Sequence, residues 1–119
     1  MPENYISITG EKGSVNISDN VIAVIASAAA AEVDGIAGLS NSGGSELYES
    51  LGKKTISRGV NVSFENGGIT VDIIVMVRYG WSISRVASEA QSAVASAVSS
   101  MTGISPSVNI HVSGVALDK

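Results

Sequence analysis

A chain of 119 residues encloses a single core, and with 45% apolar but only 4% aromatic residues that core must be aliphatic. Charged residues make up 15%, against ~25% in ordinary soluble domains, and a net charge of -4 gives no general attraction to nucleic acid or anionic lipid. The absence of cysteine excludes disulfide and thiolate chemistry. No apolar run approaches the ~20 residues of a membrane span, and Met1-Pro2-Glu3-Asn4 has no basic leader, so the expectation is a cytoplasmic chain with no direct membrane insertion.

Residues 1–12 read as a flexible polar arm, after which Gly13-Ser14-Val15-Asn16-Ile17 alternates as a short strand. Ser18 is placed to cap a helix, with Asp19 near its positive end. Val21, Val24, Ile25, Ala28, Ala29 and Glu32 fall at helical spacing, and Ala28 to Ala31 keep the helix narrow enough to lie close to a sheet. Asp34-Gly35 ends it. Residues 35–58 form an irregular linker: a turn-rich run from Ser40 to Ser45, one or two helical turns around Leu47, Tyr48 and Leu51, then Gly52-Lys53-Lys54 and Arg58.

Val60, Val62 and Phe64 alternate with polar neighbours as a half-buried strand, and Asn66-Gly67-Gly68 supplies a tight hairpin. The partner strand, Ile69 to Tyr79, is apolar on one face through Ile69, Val71, Ile73, Val75 and Val77. Ile74 and Met76 make its other face apolar too, which predicts a central strand. Gly80 permits a sharp turn and Ser82 caps a second helix, whose stripe runs through Ile83, Val86, Ala87, Ala90, Val94, Ala97, Val98 and Met101 to Thr102-Gly103. Val108, Ile110 and Val112 alternate with Asn109, His111 and Ser113 as a last strand.

The order β-α-β-β-α-β predicts an α+β fold: a two-layer sandwich with two helices on one face of a four-stranded mixed sheet, ferredoxin-like or similar. Residues 13–117 make one domain, and the last strand–helix–strand unit should place its strands parallel.

Reactive constellations are not apparent. His111 is the only histidine, and without cysteine it has no partners for a zinc site. The carboxylates are scattered singly, and the serines lack a nucleophile elbow. Gly52-Lys53-Lys54-Thr55 fails as a phosphate loop because Leu47 stands where the Walker pattern needs glycine. Gly35-Ile36-Ala37-Gly38 spells the G-x-x-G of RNA-clamping loops but carries no basic residue. The residues suited to contact a partner are the basic cluster Lys53, Lys54 and Arg58, the tryptophan Trp81 at its turn, and Ile74, Met76 and His111 on the sheet face away from the helices.

The ordered motifs resemble the alkaline shock protein family, the envelope stress response and general stress proteins of Gram-positive bacteria. The resemblance spans Gly13 to Val115. It rests on Ile17-Ser18-Asp19-Asn20-Val21-Ile22, Glu32-Val33-Asp34-Gly35-Ile36, Leu51-Gly52-Lys53-Lys54 and Arg58-Gly59-Val60. It continues through Val77-Arg78-Tyr79-Gly80-Trp81-Ser82-Ile83, Gln91, Met101-Thr102-Gly103 and Val108-Asn109-Ile110-His111-Val112. A short subgroup, associated with acetyl-CoA carboxylase genes, is similar in its brevity and its Ala-Glu-Val-Asp-Gly segment.

What the resemblance implies is a protein without catalytic residues, cofactor or metal, acting in cell-envelope homeostasis through protein–protein contacts. Its implied partners are other copies of itself and a small integral-membrane anchor protein that would hold it at the membrane periphery. An alternative is control of fatty-acid synthesis by binding acetyl-CoA carboxylase subunits. A third reading, from another class, is a small-ligand or nucleic-acid binder using the open sheet face.

Overall fold

The computed structural model describes residues 5–39, 56–57, 59–65 and 67–117. The basic cluster Lys53, Lys54 and Arg58, the turn-rich run and the helical turns expected around Leu47 lie outside them.

The chain opens with β1 (Tyr5–Gly10) and β2 (Gly13–Ser18), which pair antiparallel as a two-stranded sheet of their own. Tyr5 to Gly10 is therefore strand rather than flexible arm. The cause lies in Ile6 and Ile8, which alternate with Ser7 and Thr9 and meet Ile17 and Val15 across the hairpin. Ile6 is buried and Ile17 packs against the same core, so the base of the hairpin is anchored. From Thr9 to Asn16 every residue is exposed.

Helix α1 (Asp19–Ala31) follows, capped by Ser18, whose Oγ accepts from the Val21 N–H. The buried face is Ile22, Ala23, Ala26, Ser27 and Ala30, one step round from the expected stripe. Val21 and Val24 point outward at 49% and 54% exposure. Apolar residues surround this helix, so periodicity alone does not select a face; close approach to its neighbours does, by placing the small Ala23, Ala26, Ser27 and Ala30 inward after Ile22.

Among the described residues the main sheet has five strands: β3 (Ile36–Leu39), β4 (Ile56–Ser57), β5 (Val60–Glu65), β6 (Gly68–Arg78) and β7 (Ser107–Ala116). β6 is the central strand. β7 pairs with it in parallel from Thr70 to Arg78, leaving β5 and β3 to share its other edge, antiparallel, over Gly68–Ile73 and Val75–Val77. β4 extends β5. The expected two-layer α+β sandwich on a mixed sheet stands, but its strand complement differs. The Gly13 strand belongs to the hairpin, and β3 arises inside the stretch expected to be irregular.

Helix α2 (Ile83–Thr102) links β6 to β7. Ser82 caps its start, and Gly103, at φ +80°, closes it in the left-handed conformation. Its buried positions Val86, Ala90, Val94, Val98 and Thr102 recur every four residues, and the Gln91 side chain donates 2.7 Å to the Val108 carbonyl of β7. Ile69, Val71, Ile73, Val75 and Val77 of β6 meet both helices in one core with Val60, Val62 and Val108. Ile74 is equally buried but belongs to the opposite face.

Candidate interaction surfaces

Among the described residues, two places concentrate side chains with something to offer a partner. The first is the corner where β6 turns into α2. The Arg78 N–H donates to the Gly35 carbonyl at 2.8 Å, and the Tyr79 N–H to the Ala116 carbonyl at 2.8 Å, so the turns after α1 and β6 meet the end of β7. Gly80, at φ +97°, reverses the chain and the Trp81 N–H closes the turn on the Arg78 carbonyl. Trp81 comes down over Gly35, itself at φ +94°, with Val86 beside it.

At this corner Tyr79 is 73% exposed, Trp81 48% and Ile83 46%. Beside the indole lies a cleft of about 350 Å³ lined by Asp34, Gly80, Trp81, Ser82, Arg85, Val86 and Glu89. Arg85 and Glu89 pair across one helical turn at 3.5 Å. An aromatic platform with apolar flanks and mixed charge is equipped to hold a protein side chain.

The second place is the sheet face turned away from the helices. Asn61, Asp72 and Asn109 form one row across β5, β6 and β7. Asp72 is almost buried; its Oδ1 accepts from Asn109 Nδ2 at 3.0 Å and faces His111 Nε2 at 3.4 Å. Asn61 is 3% exposed, and its Oδ1 has no hydrogen-bond partner among the described residues. Among the described residues no three His, Asp or Glu side chains stand close enough to hold a metal ion.

Of the residues singled out from sequence, Ile74, Met76 and His111 share this face. Ile74 is buried within the chain, Met76 half-buried with its methyl against Gly114, and His111 half-buried beside Asp72 rather than freely solvated. Trp81 stands apart at the end of β6. Sequence reasoning missed Asp72 and Asn61 as parts of one cluster, and Gly35 and Tyr79 as parts of the corner. A signal existed for the cluster: Asp72 is the one charge within the otherwise apolar run Val71–Val77 of the central strand.

The sequence model of the alkaline shock protein 23 family, described as having a cell envelope-related function, matches residues 7–117. The uncharacterized protein YqhY of Bacillus subtilis is 37% identical over 107 residues, covering 89% of this chain and 79% of its own. The uncharacterized protein YloU of the same organism is 38% identical over 113 residues, covering 92% and 94%. The uncharacterized protein Spy1535 of Streptococcus pyogenes is 35% identical over 109 residues, covering 90% and 82%. No solved structure matches the chain. No helix among the described residues is long and apolar enough to cross a membrane.

Proposed function

The chain belongs to the alkaline shock protein 23 family, the one that its motifs resemble, and from that premise we propose that it serves the cell envelope as a non-enzymatic adaptor that binds a partner protein at the Trp81 corner. The observation that carries this reading is Trp81 itself: half exposed, seated on Gly35, and flanked by the more exposed Tyr79 and by Ile83. Tryptophan is enriched among the few residues that supply most of the energy of an interface. A ring already held in place loses less side-chain freedom on binding, so more of its contact energy is retained as affinity. The family description supports a cell envelope-related function; the finer role proposed is envelope stress and homeostasis at the cytoplasmic side of the membrane, with a small integral-membrane anchor as the partner.

The test compares wild type with Trp81→Ala in the host cell, each tagged, cross-linked and recovered separately from membrane and soluble fractions for quantitative mass spectrometry. The expected result is one abundant partner in the membrane fraction whose yield falls at least about tenfold in the variant, the scale of a lost hot-spot residue. Circular dichroism checks that the variant is folded. Equal recovery of every partner by a folded Trp81→Ala protein would remove the corner from consideration.

A further inference from the structure

We propose that the β2 edges of two copies of this chain pair antiparallel about Val15, joining two N-terminal hairpins into one four-stranded sheet. The inference is independent of the Trp81 corner and starts from the hydrogen-bond phase of the hairpin. Gly10 and Gly13 close a two-residue turn, so the mutually bonded pairs are Gly10 with Gly13, Ile8 with Val15 and Ile6 with Ile17. The backbone groups of Ser14 and Asn16 therefore point away from β1, and no other described strand pairs with β2. They form a ready template for another strand.

Natural sheets blunt such edges with charge, proline or a bulge. Here Tyr5–Gly10 and Gly13–Ser18 contain no charged residue and no proline, and their register runs without a break. The only charges between residues 5 and 18 are Glu11 and Lys12 at the turn, which cancel. Nothing in the hairpin repels a second hairpin.

The occupant is a second copy because one register satisfies both edges at once. With Val15 opposite Val15 of the second copy, Ser14 of each faces Asn16 of the other, and all the outward backbone groups of these residues are bonded. Side chains directly opposite share a face. Ile8 and Val15 of one copy then continue into Val15 and Ile8 of the other as an unbroken apolar row across four strands. In the single chain Val15 is 60% exposed, and every other residue of the distal half of the hairpin, from Thr9 to Asn16, is exposed too. A two-stranded hairpin standing alone is marginal in water, and the added strands supply what it lacks.

The lack of cysteine makes the register directly testable. Opposed residues of a non-bonded antiparallel pair have Cα atoms about 4.5 Å apart, within the span of a disulfide. Val15→Cys is expected to form a disulfide-linked dimer under mild oxidation at least about tenfold faster than Val24→Cys, a valine of similar exposure on α1. In sedimentation over a concentration series, wild type should dimerise, Val15→Lys should stay monomeric, and Val24→Lys should behave as wild type. A monomeric wild type throughout, equal cross-linking of the two cysteine variants, or a folded Val15→Lys that dimerises as wild type does would each overturn the proposal.

Discussion

Gly35 lies beneath Trp81 so closely that a Cβ added to it would stand 2.9 Å from Trp81 Cε3 and 2.7 Å from Val86 Cγ2. The same glycine sits at φ +94°, a conformation that side chains strain to adopt, and its carbonyl receives the N–H of Arg78. One residue thus fixes the turn after α1 and the seat of the exposed indole.

Gly35→Ala is therefore expected to cost about 2–4 kcal/mol, combining left-handed strain with overpacking. Urea unfolding measures the loss. Because Trp81 is the only tryptophan, its emission in the folded variant reports whether the ring has lifted from its seat. A loss below about 1 kcal/mol, what glycine-to-alanine exchange costs or gains without clashes, would show that the ring yields freely.

Asn61→Val should stabilise the protein. Asn61 is buried, its Oδ1 has no partner among the described residues, and an unmade hydrogen bond at a buried acceptor costs about 1–3 kcal/mol. Valine is apolar, of comparable size and well suited to a strand. A gain of about 1 kcal/mol in urea unfolding is expected. A loss of that size would mean that the amide has a partner in solution, such as a bound water.

Asp72 and His111 contribute unequally to stability. Asp72→Ala deprives Asn109 and His111 of their shared, nearly buried acceptor, at an expected cost of about 1–2 kcal/mol. His111→Ala removes one long contact from an imidazole that retains 32% exposure, and about 0.5 kcal/mol or less is expected. Denaturant midpoints of the two single variants and the double variant measure their coupling. Equal costs for the single variants would place the histidine at the centre of the row instead of its rim.

Much of the central architecture was legible because its signals are local. Gly67-Gly68 between alternating strands, Ser82 before a long stripe, and Gly103 after Thr102 each specify a turn or a cap through their own chemistry. The face of α1 was not, since Val21 and Val24 are as apolar as Ile22 and the choice depends on how close the neighbouring elements come. β3 was missed for a similar reason: Ile36-Ala37-Gly38-Leu39 is a poor strand by propensity and exists because the upper edge of β6 is left unpaired by β5. The Asp72 row depends on strand register, which single-strand patterns do not carry. The Trp81 seat depends on contact between turns more than forty positions apart.

The helix α2 stripe read from sequence treats Val94 and Met101 as equivalent, and the fold separates them. Val94 is fully buried, whereas Met101 is 67% exposed because the inward positions recur every fourth residue and the end of the stripe rotates Thr102 inward in its place. Thr102 is held there by donating 2.7 Å to the Val98 carbonyl while its Oγ1 accepts from the Ile104 N–H at 3.1 Å. Val94→Ala removes two methyl groups from a closed core and should cost about 2–3 kcal/mol, the transfer of those groups plus the cavity they leave. Met101→Ala should fall within about 0.5 kcal/mol of wild type, as surface substitutions do. Thermal and urea unfolding of the pair decide the matter: a large cost at Met101 would mean that this side chain is covered in solution, and the end of α2 would then join the surfaces through which the protein meets other molecules.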